Sequence, residues 1–381
     1  MKVVQINTVP HLSTGSVMSK NHQRYCAEGY ESWCMWGRGR AANNAQEYKF
    51  ATKLGVYCDV LLTRIDGRCG FHSKAATRRL LAKLDEIKPD VVHLHNIHGY
   101  YVNIESLFNW LACHDCEVRW TLHDCWPFTG HCTYFDAVAC NDWKTGCSQG
   151  CCQINDYPKG GTQTAVVENY QRKKQLFTQL PPEKLSFICP SEWLAGVLKE
   201  SFFAAYDVVV EHNSINTEIF KPTPNDLATQ LGLEGKFIVL GVANIWTKEK
   251  GFDDFIRLRS VLDDSFALVM VGLTKQQIRA LPKGILGVAK TESPSMLAQY
   301  YSAAQVFFNP TYQDNYPTVN LEAEACGTPV VCYNVGGCRE TIQLEESCVV
   351  DSFDRAVQVI KKRATTQMYI QAEKGSVLAH G

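Results

Sequence analysis

The chain has 381 residues, of which 45% are hydrophobic and 20% charged, and its formal net charge is −1. This length is typical of two domains, the composition is that of a globular enzyme, and the balanced charge argues against a basic surface for nucleic acid. No apolar run approaches the ~18 residues of a membrane span, and the N-terminal MKVVQINTV predicts a first strand rather than an export signal. We therefore expect a cytoplasmic protein.

Strands and helices alternate in the first third of the chain. KVVQIN predicts a strand, and TRRLLAKLDEIK has leucines at helical spacing before Pro89 ends the helix. DVVHLHN then predicts a strand, IESLFNWLA a helix and EVRWTLHD another strand. This alternation is typical of a parallel, doubly wound α/β sheet.

Residues 125–165 interrupt the alternation with a segment rich in Cys, Gly and aromatic residues. Eight of the 17 cysteines fall between residues 113 and 152, and without an export signal metal binding is favoured over disulfides. We predict a structural zinc ion, because closed sites of four thiolate or imidazole ligands order loops that have little core of their own.

The predicted zinc ligands are Cys132, Cys140, Cys147 and Cys151. Cys152 is the alternative fourth sulfur, and His131 can replace one of the sulfurs. The competing interpretations are reduced buried thiols and, in an oxidised protein, two disulfides.

The second half of the chain continues with short apolar strands separated by helices, and these strands are LSFICPS, DVVVEHNS, KFIVLGVAN, FALVMVG, VFFNPT and PVVCYN. Consecutive prolines in QLPPEKL predict a domain boundary. The predicted fold class is therefore α/β, with two Rossmann-like domains whose parallel sheets face a cleft. Residues 1–183 form the N-terminal domain with the insertion at 125–165, and residues 184–381 form the C-terminal domain.

The segment YQDNYPTVNLEAEACGTPVVCYNVGG, residues 312–337, combines two acids with a helix start. Asp314 follows the strand VFFNPT, at the carboxyl end where ligands bind in open α/β sheets. Pro317 suits the first position of a helix, whose free amides form an anion site for a diphosphate. Thr318 and Glu322 share one face of that helix, where the Glu322 carboxylate can accept hydrogen bonds from hydroxyl groups.

The run from Asp314 to Glu322, followed by AEACGTPVV and VGGCRETI, resembles the Glu-x7-Glu region of the retaining glycosyltransferases of family 4. Further segments agree with that family in the same order, namely HLSTGSV, KPDVVHLHN, TLHD, CPSEWLA, EHNSINTEIFKP and GVANIWTKEKGFDDFI. Two departures bear on the donor site: the first acid is Asp314 rather than Glu, and Ile245 stands where many members carry Arg. The resemblance implies the GT-B arrangement of two Rossmann-like domains and transfer of a sugar from a nucleotide-sugar donor.

The resemblance also implies roles in donor binding. Glu322 would bind the ribose hydroxyls, and Asp314 would bind hydroxyls of the donor sugar. Lys250 would stabilise the departing diphosphate, and Lys248 would supply the charge of the missing Arg. The backbone amides that would support the same charge are those of Gly15, Thr318 and Val319.

In the N-terminal domain, the motif TLHD would place His123 beside the donor sugar and the reacting centre. The alternative is a structural histidine at the end of a strand, and Asp124 is expected to anchor a local turn. The residues of HNIHGYY that would contact the acceptor are Asn96, His98, Tyr100 and Tyr101, with a structural role expected for part of this set.

These assignments predict a retaining hexosyltransferase that moves a sugar from a UDP- or GDP-sugar to a glycan or lipid-linked glycan by front-side displacement, in the biosynthesis of a surface polysaccharide. Catalysis is expected without a divalent metal, because the chain lacks the Asp-x-Asp of the metal-dependent transferases. We also expect peripheral contact with the inner membrane and a last helix that packs back on the N-terminal domain. The alternatives are a sugar-nucleotide epimerase and a catalytically silent nucleotide-sugar-binding module of the same fold.

Overall fold

The computed structural model describes residues 1–160 and 162–378, and for residues 12–13 and 368–378 it describes the backbone alone. The chain divides into two units, Met1–His212 and Asn213–Gly381. Each unit is built on one parallel β-sheet. Within the described residues, no helix is both long and apolar enough to cross a membrane.

The N-terminal unit contains a seven-stranded sheet. Its strands are β1 (Lys2–Asn7), β2 (Glu31–Trp36), β3 (Glu47–Lys49), β4 (Val91–Leu94), β5 (Glu117–Thr121), β6 (Leu185–Cys189) and β7 (Asp207–Val210). Its helices are α1 (Leu12–Ala27), α2 (Lys53–Asp66), α3 (Lys74–Ile87), α4 (Ile104–Cys113), α5 (Gln163–Phe177) and α6 (Glu192–Lys199). The strand order is β3-β2-β1-β4-β5-β6-β7, and β4 is buried along its whole length, as expected for a central strand of a parallel sheet.

The C-terminal unit contains a six-stranded sheet. Its strands are β8 (Phe237–Val242), β9 (Phe266–Val271), β10 (Ile285–Val288), β11 (Val306–Asn309), β12 (Val330–Tyr333) and β13 (Cys348–Val350). Its helices are α7 (Leu227–Gln230), α8 (Phe252–Val261), α9 (Lys275–Ala280), α10 (Pro294–Ala303), α11 (Thr318–Ala325) and α12 (Phe353–Leu378). The strand order is β10-β9-β8-β11-β12-β13, with all neighbouring strands parallel.

The strand order of each sheet reverses at one point, and the predicted site segments follow the strands on either side of that point. The reversal lies between β1 and β4 in the N-terminal sheet and between β8 and β11 in the C-terminal sheet. Loops that follow the two strands at such a point diverge and leave a crevice for a ligand. Gly15 and Asn96 follow β1 and β4, while Lys250 and Asp314 follow β8 and β11. The predicted α/β fold class of two Rossmann-like units is confirmed.

The boundary between the units differs from the predicted one. The division lies after His212 rather than after residue 183, because β6 and β7 extend the N-terminal sheet by pairing with β5 and with each other. The prolines of QLPPEKL form a tight turn before β6, in which the Leu185 amide donates to the Pro181 carbonyl oxygen at 3.2 Å. A local turn signal therefore does not mark the end of this domain.

The insertion at 125–165 is held by aromatic packing and a buried lysine. Phe135 and Trp143 are buried, and their rings stack with centroids 4.6 Å apart. Lys173 of α5 is 1% exposed, and its Nζ donates to the Trp126 carbonyl oxygen at 2.5 Å and lies 3.8 Å from the Trp126 ring centroid. The segment thus has an aromatic core that its shortage of aliphatic residues does not predict.

The last helix of the chain is only partly described. Helix α12 runs from Phe353 to Leu378, and its first part packs on β12 and β13 of its own unit. The predicted packing of its last turns on the N-terminal domain involves residues whose side chains lie outside the described part of the chain.

The buried Lys173 makes stability depend on pH. Burial lowers the pKa of its ammonium group to about 7, below that of a lysine in the unfolded chain. Between these two values the unfolded state binds more protons than the folded state, so this group makes stability rise with pH. We expect wild type to gain ~2 kcal/mol in free energy of unfolding, relative to Lys173→Met, between about pH 7 and pH 9.

Urea unfolding of both proteins across this pH range, followed by tryptophan fluorescence, measures the difference. Lys174→Met is the matched control, because Lys174 is the next residue of α5 and is exposed. Parallel pH profiles for wild type and Lys173→Met would show that the lysine is charged throughout.

Candidate functional site

Two predicted catalytic residues meet at the strand reversal of the C-terminal sheet. The Lys250 Nζ lies 2.6 Å from Asp314 Oδ2 and 3.3 Å from the Gln313 carbonyl oxygen. The two side chains are 37% and 22% exposed, so the ion pair is open to solvent on one side. A lysine held in this way presents a fixed positive charge at the edge where a ligand enters the sheet.

The loop that carries Asp314 is fixed by the glycines of VGG. Gly336 has φ +51, and a Cβ built on it would lie 1.8 Å from the Asp314 carbonyl oxygen. The Gly337 amide donates to the same oxygen at 3.2 Å, and the Tyr316 amide donates to Asp314 Oδ1 at 3.2 Å. The double glycine therefore allows backbone to lie directly against the aspartate loop.

A buried aspartate supports the same loop from α8. Asp254 Oδ2 accepts hydrogen bonds from the hydroxyls of Tyr312 at 2.6 Å and Tyr333 at 2.5 Å. Burial and the Asp254 carboxylate raise the pKa of Tyr312 to about 12, and they raise the pKa of Tyr333 further. Asp254 thus ties the Asp314 loop to α8 and β12.

Glu322 lies on α11 and is oriented by a tyrosine of α10. The Tyr301 hydroxyl donates to Glu322 Oε2 at 3.1 Å, and Tyr301 is fully buried. Burial and the Glu322 carboxylate both raise the pKa of Tyr301 well above its ordinary value, which keeps the hydroxyl protonated as a donor. The sequence carries no signal for Tyr301, because this contact joins residues that lie on different helices.

The start of α11 differs slightly from the prediction. Pro317 is the N-cap and is extended, so the helix begins at Thr318 rather than at the proline. Thr318 and Val319 are half-buried in the first turn, where helix amides have no intrahelical acceptors. The position of these amides is consistent with the predicted anion site.

A buried chain of amide and hydroxyl groups anchors α11 to the sheet. Asn309 Nδ2 at the end of β11 donates to Asn320 Oδ1 at 2.9 Å, and Asn320 Nδ2 donates to Thr341 Oγ1 at 2.9 Å. These contacts link β11, α11 and the 3₁₀ helix Cys338–Thr341. The segment that carries both acids is therefore rigidly supported.

Lys248 and Ile245 both lie on the exposed surface of the loop after β8. The Lys248 carbonyl oxygen accepts from the Gly251 amide at 2.9 Å, which closes a tight turn before α8. The structure brings Lys250, but not Lys248, against Asp314. The predicted role of Lys248 stays a prediction.

Gly15 lies in the first turn of α1, next to the loop that follows β1. A Cβ on Gly15 would lie 2.6 Å from the Pro10 carbonyl carbon and 2.9 Å from the Val9 carbonyl oxygen. Only glycine allows this close approach, so the residue fixes how α1 starts at the strand reversal. Its predicted contact with a ligand stays a prediction.

His123 ends a buried hydrogen-bonded chain. His123 Nε2 lies 3.1 Å from His95 Nδ1, and His95 Nε2 lies 3.2 Å from Gln5 Oε1. A carboxamide oxygen only accepts, so His95 donates from Nε2 and His123 donates from Nε2 to His95. Burial lowers the pKa of His123 to about 4, which makes the ring neutral at physiological pH. Gln5 and His95 therefore set the tautomer of His123, a relation that sequence analysis missed.

The predicted acceptor residues after β4 are mostly buried. His98 Nε2 hydrogen-bonds to Asp124 Oδ2 at 2.8 Å, and the Asp124 carboxylate also accepts from the Trp126 amide at 3.0 Å, as expected of a turn anchor. Burial raises the pKa of Asp124, but His98, the Trp126 amide and His123 together outweigh burial and hold that pKa below its ordinary value. Tyr100 is 7% exposed.

Tyr101 belongs to the core rather than to an acceptor surface. Its side chain is fully buried, and its hydroxyl donates to the Asn96 carbonyl oxygen at 2.7 Å. A Cβ on Gly37 would lie 2.2 Å from the Tyr101 ring. The backbone at Gly37, directly after β2, therefore packs tightly against that ring. The predicted acceptor contact of Tyr101 is therefore wrong, while those of Asn96, His98 and Tyr100 stay predictions.

The four cysteines predicted to bind zinc influence one another without forming a recognisable metal site. Burial raises the pKa of Cys147 to about 11, although the Gly130 amide and Lys173 oppose this shift. Burial first, and the Cys147 thiol second, raise the pKa of Cys132 further. The Gly130 amide donates to Cys147 Sγ at 3.0 Å. None of the 17 cysteines forms a disulfide. Among the described residues, no group of three or more His, Cys, Asp or Glu side chains is arranged to hold a metal ion.

Comparison with known proteins agrees with this fold. Residues 236–363 match the family Glycosyl transferases group 1. A colanic acid biosynthesis glycosyl transferase of Escherichia coli K12, WcaC (a provisional assignment), is 26% identical over 362 residues, which cover 90% of this chain and 85% of the relative.

Solved structures share the fold of the chain at low sequence identity. Sucrose-phosphate synthase from Thermosynechococcus elongatus has a TM-score of 0.66 at 14% identity, covering 96% of this chain and 90% of the other. Anabaena HepE, solved in complex with UDP-glucose, has a TM-score of 0.62 at 15% identity, covering 96% of this chain and 91% of the other. The chain thus has the GT-B fold of these structures. Within that fold, the chain resembles the group 1 glycosyl transferases, which confirms the resemblance predicted from its sequence.

The contact between Gly336 and the Asp314 loop can be tested by adding one methyl group. Gly336→Ala should lower the free energy of unfolding of the C-terminal unit by ~1–3 kcal/mol, because the Cβ would overlap the Asp314 carbonyl oxygen. Thermal denaturation measures the loss. Gly327→Ala is the matched control, because Gly327 also has positive φ (+80) but its nearest added contact is Pro222 at 3.6 Å. Equal losses in the two variants would attribute the effect to backbone conformation alone.

Zinc stays a prediction for Cys132, Cys140, Cys147 and Cys151. Elemental analysis of protein purified without metal-affinity resin should find stoichiometric zinc, and the metal should be lost when Cys140 and Cys147 are changed to Ser. Cys113→Ser is the control, because Cys113 is exposed and lies outside the four. Metal-free protein in which these thiols are all free would contradict the prediction.

Proposed function

We propose that the protein is a retaining glycosyltransferase that transfers a hexose-type sugar from a UDP- or GDP-sugar to a glycan or lipid-linked glycan acceptor. The ion pair between Lys250 and Asp314, at the strand reversal of the C-terminal sheet, is the observation that carries the proposal. Glu322, oriented by Tyr301 one turn into α11, adds an acceptor for hydroxyl groups in the same unit.

The proposed reaction is a front-side displacement at the anomeric carbon. The bond between that carbon and the diphosphate oxygen breaks, the acceptor oxygen bonds on the same face, and the acceptor proton passes to the leaving phosphate. Negative charge on the diphosphate grows as the bond breaks, so a fixed cation stabilises the transition state more than the bound substrate. Lys250 supplies this charge, and Asp314 and the Gln313 carbonyl oxygen limit the positions of its Nζ. No catalytic metal is part of the proposal.

The N-terminal unit contributes a neutral histidine in this scheme. Because Gln5 and His95 fix the proton of His123 on Nε2, where it is donated to His95, the ring is held in one tautomer and one orientation. With a pKa of about 4, His123 orients the sugar and does not act as a general acid near neutral pH. Asn96, His98 and Tyr100 are the proposed acceptor side of the site.

The comparisons support a place in polysaccharide biosynthesis. WcaC is named for colanic acid biosynthesis, and the HepE structure contains UDP-glucose. We extend these properties to the present chain as part of the proposal, together with a cytoplasmic location and peripheral contact with the inner membrane. The acceptor is then a growing glycan on that membrane.

Incubation of the protein with a panel of UDP- and GDP-hexoses, with and without glycan acceptors, tests the proposal. Transfer with the anomeric configuration retained, assigned by NMR of the product, supports it. A changed free sugar nucleotide would favour an epimerase, and binding without turnover would favour a silent module.

Lys250→Ala should lower turnover about 100-fold while changing donor affinity much less, because its charge matters most as the diphosphate leaves. Steady-state kinetics and calorimetric titration of the donor separate the two effects. Lys236→Ala is the control, because Lys236 is exposed in the same unit and precedes β8. An equal loss of affinity and turnover would assign Lys250 to ground-state binding.

A further inference from the structure

Helix α2 exposes a continuous apolar surface. We define its outer face as Leu54, Tyr57, Leu61, Leu62 and Ile65, together with the exposed Cys58. The five large side chains are between 45% and 74% exposed. At about 100° per residue, these positions fall within one side of the helix, so they form one stripe and not scattered single residues. Apolar stripes of this kind on a folded protein mark interaction sites.

The inner face of α2 is unusually polar for the side that faces a core. Asp59 and Thr63 are 1% and 0% exposed, and Thr63 Oγ1 donates to Asp59 Oδ1 at 3.1 Å. The Ser73 hydroxyl donates to the other Asp59 oxygen. Only Val56 and Val60 add apolar contacts to the core from this helix. The helix therefore inverts the usual pattern, with satisfied polar groups inside and leucines outside.

The orientation of α2 is locked at several points. The Thr52 side chain caps the first turn by accepting from the Gly55 amide at 3.1 Å, and Gly67 ends the helix in the left-handed conformation. Gly160 packs on its last turn, where a Cβ would lie 2.5 Å from Arg64 Cα. A rotation that buried the outer face would break the Asp59 hydrogen bonds and this packing. The apolar stripe is consequently held outward.

The charges around the outer face are basic. Lys53 and Arg64 lie on one flank of the stripe by helical geometry, and both are exposed, as is Lys159 beside Gly160. The acids of the helix are engaged: Asp59 is buried, and Asp66 accepts from the Arg68 amide and from His72.

Beyond the C-terminal end of α2, Arg68 Nη2 forms an ion pair with Glu168 Oε2 at 3.1 Å. A second copy of this face would offer Lys53 and Arg64 no acid of α2, since Asp59 is buried and Asp66 is already hydrogen-bonded, whereas anionic lipid headgroups complement both residues.

We propose that the outer face of α2 binds the surface of a bilayer that contains anionic phospholipids, with the helix axis in the plane of the membrane. The leucines and Ile65 enter the boundary between headgroups and acyl chains, Tyr57 lies at the headgroup level, and Lys53 and Arg64 contact phosphates. The helix is about 21 Å long, which suits an in-plane position. The inference specifies the membrane contact included in the proposed function, and it does not depend on the transfer reaction.

Vesicle co-sedimentation of the full chain, without sugar nucleotide, tests the proposal. Wild type should bind vesicles of equal parts phosphatidylcholine and phosphatidylglycerol, and bind vesicles of phosphatidylcholine alone less tightly. Leu61→Asp and Ile65→Asp should each lower the partition coefficient at least about tenfold. Arg64→Gln should lower it about fivefold on the anionic vesicles only.

Val209→Asp is the matched control, because Val209 is 58% exposed in β7 and the change adds the same charge in the same unit. Its partition should equal that of wild type. Unchanged circular dichroism and melting temperature show that each variant is folded.

Absence of vesicle binding by wild type, or equal losses in Leu61→Asp and Val209→Asp, would overturn the proposal. A wild-type dimer that Leu61→Asp converts to monomer would overturn it in favour of a second copy. Hexosyl transfer to a soluble glycan is measured separately, so a failure here leaves the transferase proposal intact.

Discussion

The ion pair between Lys250 and Asp314 joins two loops that lie 64 residues apart in the chain. It can form because β8 and β11 are neighbours in the sheet, although β9 and β10 separate them in sequence. Gly251 turns the chain into α8 with φ +74, and a Cβ on it would lie 2.1 Å from the Pro310 carbonyl oxygen. Glycine at this position and at 336 lets both loops pack backbone against backbone. The Lys250–Asp314 ion pair therefore depends on close backbone packing at Gly251 and Gly336, where any side chain would clash.

The strands and fold class could be predicted, since both depend on local pattern. Short apolar runs at regular spacing identified most strands, and their alternation with helices indicated parallel sheets. The domain boundary could not be predicted, because the pairing of strands decides which sheet a strand belongs to. Strands β6 and β7 follow a proline turn, yet they complete the N-terminal sheet. Proline fixes its own φ and lacks a backbone N–H donor, and neither property determines which sheet the next strand joins.

The same distinction separates the predicted from the missed site residues. Asp314, Glu322 and Lys250 lie in recognisable motifs, so each was found from the sequence. Their partners were not found. Tyr301 orients Glu322 from another helix, and Asp254 ties down the Asp314 loop from 58 residues away through Tyr312. Such partners carry no signature of their own, because any buried tyrosine or first-turn aspartate has the same local sequence context.

Helix α2 shows where periodicity alone fails. Its apolar residues recur at helical spacing, and the ordinary interpretation of that pattern turns them toward the core. The structure turns them outward because Asp59 needs the hydroxyls of Thr63 and Ser73, and a buried carboxylate without such donors would cost more than an exposed leucine. The polar groups therefore decide which face of the helix is buried, and the apolar face is left for a partner outside the chain. Because buried hydrogen bonds keep this apolar face outward, the face is a fixed feature of the folded chain, and we assign it to contact with a membrane surface.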